Sequence, residues 1–378
     1  MAVLTEEQSL LRDAARAWAR DRSPVSALRA LRDRAAPLGY DPDLWREMAQ
    51  MGWAGVMVPE AYGGSEADLF AMGLVLEETG RTLTASPLLS TGLTAVSALL
   101  LGGSGDQKAG WLPRIADGEI VAALAVDEGP HHAPERIAMS ATPHGRGWTL
   151  SGTKTLVLEG MAADLFVVAA RTGGAPGDHA GISLFLVPQH DAGVSRRALR
   201  LADSRGAAIV TFDDVEVGDD ALMGVAGEGW PVLDAVLDRA RAGLAAEMLG
   251  SAAAAFEITL DYLKTRKQFG QLIGSFQALQ HRAAKMFTEL ELARSTVEAA
   301  LAALDAGDPD APLLTSLAKA KMGGAFHLVS NEMVQMHGGI GMTDAHDAGF
   351  YLKRARAAEF IYGGPAFHRD RYARLQGY

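Results

Sequence analysis

The sequence predicts an α+β protein in three parts: an N-terminal helical domain over residues 1–119, a small barrel- or sandwich-like β-domain over 120–223, and an antiparallel four-helix bundle over 224–378. Two switches of hydrophobic period, from helical to strand-like and back, carry that prediction. With 378 residues, 48% hydrophobic and 21% charged, the chain has enough apolar surface for a core shared among several domains.

In the first part Leu10, Leu11, Ala14, Ala15 and Trp18 recur at spacings of three and four, and LWREMAQMGW repeats the habit. VPEAYGG reads as a turn, DLFAMGLVLEETGRTL as a further helix, and DQKAGWLPRIADGE closes the block. From Ile120 to Met223 the runs become short and β-like: WTLSGTKTLVL, LFVVAA, ISLFLVP and AIVTFDDVEV, separated by Gly, Pro, Asp and His. From Trp230 onward long alanine-rich helices return, broken at Gly and Pro, as an antiparallel bundle with short connections requires.

Composition removes several functions. A net charge of −11 argues against nucleic acid or an anionic membrane surface as the main partner, because both are held by a basic face. The absence of cysteine excludes disulfides, thiolate metal ligands and cysteine nucleophiles. The N-terminus reads as an amphipathic helix, acidic early and arginine-rich late, and no apolar run reaches the roughly 20 residues of a membrane span, so a cytoplasmic protein is expected. His131, His132, His337 and His346 lack ligand spacing, and no metal is expected. A dinucleotide fingerprint, a Walker sequence and a nucleophile elbow are also missing.

Two breaks between helices carry the chemistry. RKQFGQLIGSFQALQHR joins strong helices through paired glycines, with arginine, lysine, phenylalanine and glutamine side chains; an arginine beside the amides that open a helix suits a phosphate or pyrophosphate. QMHGGIGMTDAHDAG leaves a long helix through consecutive glycines, which permit close backbone approach or positive φ. Taken alone, the first break reads more simply as a polar turn and the second as a plain helix terminus.

Together they resemble the acyl-CoA dehydrogenase family. Arg266, Gln268, Phe269, Gly270, Ile273, Phe276, Gln277 and His281 match its R-x-Q-F-G-x-x-I-x-x-F-Q-x-x-x-H, and Gln335, His337, Gly338, Gly339 and Gly341 match its Q-x-H-G-G-x-G. VPEAYGG, LVLEETGR, WTLSGTK and VTFDDVEV look like further signposts, so the resemblance spans nearly the whole chain. It implies FAD held between subunits of a homodimer, a homotetramer or a heterotetramer with a paralogous subunit. Arg266 would face the pyrophosphate, Phe269 would pack near the flavin, and Gln268 and Gln277 would contribute cofactor contacts. Gln335, Gly338 and Gly339 would serve the adenosine side from the neighbouring subunit. The implied substrate is an acyl-CoA or related thioester, with Arg241 as a substrate contact and an electron-transfer flavoprotein as electron acceptor.

The resemblance also implies a glutamate as general base for the α-proton. Many members carry it in a Y-E-G-T near the C-terminus, where this chain has Tyr362, Gly363, Gly364 and Pro365; Gly363 or, without a gap, Tyr362 takes the position. Other members carry it directly before an arginine on the helix preceding R-x-Q-F-G, where this chain has Ala240 before Arg241. That helix offers Asp238 and Glu247, and Glu247, about two turns from Ala240 on roughly the same face, is the candidate for a relocated base. The flavin-facing T-E-P-x-x-G-S-D of the family is VDEGPHHAPERI here, and the W-I-T after G-T-K is Leu156, Val157 and Leu158. Two functions are therefore weighed: an FAD-dependent dehydrogenase with an unusual base, and a non-catalytic subunit that completes the FAD site of an active paralogue.

Overall fold

The computed structural model describes residues 3–378. Helices come first: α1 (Glu6–Arg22), α2 (Val25–Asp33), α3 (Pro42–Gln50), α4 (Leu69–Arg81), α5 (Val96–Gly102) and α6 (Gly105–Ala116), with π-helical turns over Leu88–Ala95 leading into α5. Local sequence explains the starts. Thr5 Oγ1 accepts the Gln8 amide at 3.1 Å while the Gln8 side chain accepts the Thr5 amide at 3.2 Å, and Ser104 with Gln107 repeats this capping box at α6.

The middle part is one eight-stranded sheet: β1 (Ala122–Ala125), β2 (Ser140–Pro143), β3 (Gly147–Leu158), β4 (Leu165–Arg171), β5 (Ile182–Pro188), β6 (Val194–Arg200), β7 (Gly206–Gly218) and β8 (Leu222–Met223). Their order is β6-β7-β3-β2-β4-β5-β8, with β1 added in parallel to β4. β3 and β7, the longest pair, are antiparallel from Gly147↔Gly218 to Leu158↔Ala207, and register shifts at Leu150/Gly152 and Lys154/Val157 bend them. β4 and β5 are buried on both faces, which is why LFVVAA and ISLFLVP show continuous apolar runs instead of alternation.

The last part is helical: α7 (Trp230–Thr265), α8 (Gln277–Ala306), α9 (Ala311–His337), α10 (Ala348–Phe360) and α11 (Pro365–Leu375), with the short hairpin β9 (Lys267–Gln268) and β10 (Gln271–Leu272) between α7 and α8. By length and composition α7 is apolar enough to cross a membrane, yet 83% of its most apolar window is buried in the protein, as in a core helix.

Compactness divides the chain differently from sequence order. One unit contains Ala30–Asp68 and Ala85–Ala240; the other contains the described residues up to Arg29, Leu69–Thr84 and Arg241–Tyr378. In the sheet-containing unit the π-helical stretch lies against β1, where Thr91 Oγ1 donates to the Ala122 carbonyl at 3.0 Å and accepts its amide at 3.1 Å.

In the helical unit, α4 meets α7 because glycines let their backbones approach, and α1 packs on α4. A Cβ on Gly250 of α7 would lie 1.7 Å from the Glu77 carbonyl oxygen of α4, and one on Gly80 would lie 2.2 Å from the Glu247 carbonyl oxygen. Buried Glu78 accepts from Nε and Nη2 of Arg16, at 3.0 and 2.7 Å, tying α1 to α4. The open start of α4 is closed by a residue remote in sequence: the Asp305 carboxylate accepts the Leu69 and Phe70 amides at 2.8 and 2.9 Å. Asp305→Ala is expected to cost about 1–2 kcal/mol of stability, read as an earlier urea midpoint with an unchanged slope.

Candidate functional site

The first predicted break is a built hairpin. Gln268 pairs with Gln271 and Lys267 with Leu272, and the two residues between them, Phe269 and Gly270, both have left-handed φ, +53° and +79°. Consecutive left-handed residues form the tight two-residue turn that matches strand twist. The turn leaves the Phe269 ring 91% exposed, edge-on to Phe276 at 6.2 Å. Arg266 stands exposed at the base of the hairpin, with its carbonyl accepting the Ile273 amide at 2.9 Å. Gln277 opens α8, whose N-cap, Phe276, offers no side-chain hydrogen bond to the first amides. An exposed arginine at the base of a hairpin that leads into the uncapped start of a 30-residue helix has the chemistry of a diphosphate site, and the exposed aromatic tip has the chemistry of a ring-covering contact.

The second break ends α9. Gly338 adopts φ +64°, ψ −137°, a glycine conformation, and a Cβ on Gly338 or Gly339 would meet nothing within 4 Å, so the backbone there is open to a ligand. Gln335 lies exposed on the last turn. Buried His337, which the residue reading left without a role, organises this end. Its Nδ1–H donates to the Met333 carbonyl at 2.7 Å, and its ring stacks on Tyr262 at 4.4 Å and lies 4.3 Å from His346. Burial pushes its pKa down, keeping the ring neutral near pH 7. Tyr262 belongs to the last turns of α7, so one stack joins the glycine break to the helix that delivers Arg266.

The positions expected to bear a base are built otherwise. Ala240 and Arg241 are fully buried. In the Tyr362–Gly363 turn φ is +56° and +105°, and its carbonyls are held from three helices. Arg241 Nε donates to the Tyr362 oxygen at 3.3 Å, His368 Nε2–H donates to the same oxygen at 3.1 Å, and Lys319 Nζ donates to the Gly363 oxygen at 3.2 Å. Phe367 lies beneath the Arg241 guanidinium, 5.4 Å from ring centre to Cζ, and a Cβ on Gly363 would fall 2.5 Å from its Cδ1. Glu247 is buried, its oxygens taking the Nε and Nη2 of Arg354 at 2.9 and 3.1 Å.

In the loop read as VDEGPHHAPERI, in the other unit, the Asp127 and Glu128 carboxylates are held by protein donors. Asp127 accepts from His132 Nδ1 at 2.9 Å and from the Ala133 amide at 3.2 Å. Glu128 accepts from the Ala138 and Met139 amides at 2.8 and 3.0 Å and from buried Lys154 at 2.6 Å. Burial lowers the Lys154 pKa, and Glu128 opposes that shift.

Family models match three consecutive stretches: the N-terminal domain of acyl-CoA dehydrogenase over residues 5–119, the middle domain over 132–215 and the C-terminal domain over 227–375. The chain belongs to the acyl-CoA dehydrogenase family. An acyl-CoA dehydrogenase of Bacillus subtilis is 31% identical over 96% of this chain and 95% of its own, and acyl-CoA dehydrogenase IpdE2 of Mycolicibacterium smegmatis is 30% identical over 99% of both. Among solved structures, the Tcur3481-Tcur3483 steroid ACAD superposes with a TM-score of 0.89 at 32% identity, covering 98% of each chain. As an acyl-CoA dehydrogenase this protein is a flavin oxidoreductase, and its relatives favour that activity over a purely non-catalytic partner role.

Proposed function

We propose that this acyl-CoA dehydrogenase oxidises an acyl-CoA or related thioester across its α,β bond with FAD, and without a glutamate at either place where the family keeps its base. The observation that carries the cofactor half is the exposed Arg266–Phe269 hairpin beside the uncapped start of α8. FAD, when bound, supplies the two-electron oxidant that accepts the β-hydride. Arg266 and the first amides of α8 would bind its diphosphate, Phe269 would cover the ring side, and Gln268 and Gln277 would donate or accept hydrogen bonds along it. Gln335, Gly338 and Gly339 of a neighbouring subunit would take the adenosine side, as an exposed helix end with open glycines suits. That requires an oligomer, a homodimer, a homotetramer or a heterotetramer; the paired name of the Tcur3481-Tcur3483 relative supports a two-chain assembly as one form. Electrons would pass to an electron-transfer flavoprotein, as the family implies.

Ala240 and Gly363 supply no carboxylate, and the Glu247 carboxylate is engaged by Arg354. Proton removal would therefore fall to a group outside the two usual positions. Arg241, fixed against Tyr362, would order the turn that borders the substrate instead of meeting the substrate itself.

The test is the purified protein, alone and coexpressed with a family paralogue, monitored for flavin absorbance and for anaerobic bleaching by a panel of acyl-CoAs. Bleaching of the protein alone is the expected result; a flavin-free protein that acquires colour only with the paralogue would contradict it. Arg266→Ala is expected to weaken FAD about 10- to 100-fold, the worth of a charge-assisted hydrogen bond to phosphate, and to leave the unfolding midpoint unchanged because the side chain is exposed. Titration of apoprotein with FAD measures it.

A further inference from the structure

Lys319 is 1% exposed in the middle of α9, an unusual place for an ammonium. All three of its N–H donors are used: Nζ donates to the carbonyls of Ala358 at 2.9 Å, Glu359 at 3.0 Å and Gly363 at 3.2 Å. The first two are among the last carbonyls of α10, left open by the helix end, and the third belongs to the turn that Arg241 and His368 grip through Tyr362. One cation thus fastens the end of α10 to that turn.

We propose that Lys319 is a positioning residue of the active site: its ammonium holds the Tyr362–Gly363 turn in register with α10, and loss of its proton releases the turn. This rests on the reading above that the turn occupies the family's base position.

The charges around it are those of an adjustable group. Arg241 lies on α7, the Glu247–Arg354 pair joins α7 to α10, Glu359 ends α10, and His368 and Arg371 lie on α11, with Arg371 bonded to Ser316 one turn before Lys319. Burial and then Arg241 push the Lys319 pKa down to about 7, with Arg354 adding to the fall and Glu359 opposing it. Because the folded pKa lies below the unfolded value, the native state binds fewer protons between about 7 and the ordinary lysine value of 10.5, and global stability from this group rises with pH across that window. Local loosening of the turn without loss of global stability is the signature of its release by proton loss.

Hydrogen exchange of peptides covering residues 358–368, corrected for the intrinsic pH dependence of exchange, reads this directly and needs no substrate. In the wild-type protein, protection of these amides should fall about tenfold between roughly pH 6 and pH 9, equivalent to about 1.4 kcal/mol, while the unfolding midpoint does not fall. Lys319→Arg, which stays charged, should keep the protection at the higher pH, and Lys319→Met should lack it at both. If Lys319→Met does not fold, the wild-type profile decides alone. Wild-type protection that is flat across this range, or a Lys319→Arg protein that loses protection in parallel with wild type, overturns the proposal. Failure to bleach with acyl-CoAs would count against the proposed reaction and leave this measurement untouched.

Discussion

Glu247→Leu is expected to destabilise the protein by about 3–5 kcal/mol, the cost of leaving a buried guanidinium without its counter-charge. Both side chains of the Glu247–Arg354 pair are 4% exposed, and the contact is bidentate, so little solvent screens what remains when one partner goes. The double variant Glu247→Leu/Arg354→Met should recover most of that loss, because the desolvation of two charges disappears with their attraction. Urea denaturation of the two single variants and the double variant closes the cycle. The same position tests the relocated base: Glu247→Gln that retains full activity per bound flavin eliminates Glu247 from proton transfer, whereas a drop far exceeding the loss of folded protein would place it there.

Features written in contiguous residues were legible in the sequence. The break around Gly270 between two strong helices was written locally, though not the hairpin that Phe269 and Gly270 turn, and a glycine pair after a long helix specifies where α9 stops. The strands of the middle domain were legible from their apolar runs, although runs buried on both faces report burial and not which strand is the neighbour. What stayed hidden depends on partners distant along the chain. Lys319 sits in LAKAK, which reads as a surface helix, and only the folded chain brings its Nζ to carbonyls 39 to 44 positions away. Arg354, 107 positions from Glu247, turns a candidate base into half of an ion pair. The grouping of α4 with the C-terminal helices is equally invisible, because it rests on Gly80 and Gly250 facing backbone from another helix.

Gly363→Glu, which puts a carboxylate at the position the proposed reading assigns to the family's base, is expected to destabilise the protein by about 2–5 kcal/mol and to gain no activity. At φ +105° any L side chain is strained, and the first carbon of this one would meet Phe367 Cδ1 at 2.5 Å and His368 Nε2 at 2.9 Å. Neither ring yields easily. Phe367 is held under the fully buried Arg241, and His368 is fixed by its bond to the Tyr362 carbonyl, which Arg241 also grips. The space that a carboxylate would need is thus filled by an aromatic ring and a network of cations already spent on carbonyl oxygens. Gly363→Glu/Phe367→Ala should regain stability relative to Gly363→Glu, since the steric part of the cost goes with the ring while the φ strain stays. Unfolding midpoints of the two variants measure the relief, and anaerobic bleaching measures whether the carboxylate acts. A single Gly363→Glu variant as stable as wild type would show that the turn can reshape, and the close packing of Phe367 over Gly363 would then have no bearing on where the proton goes.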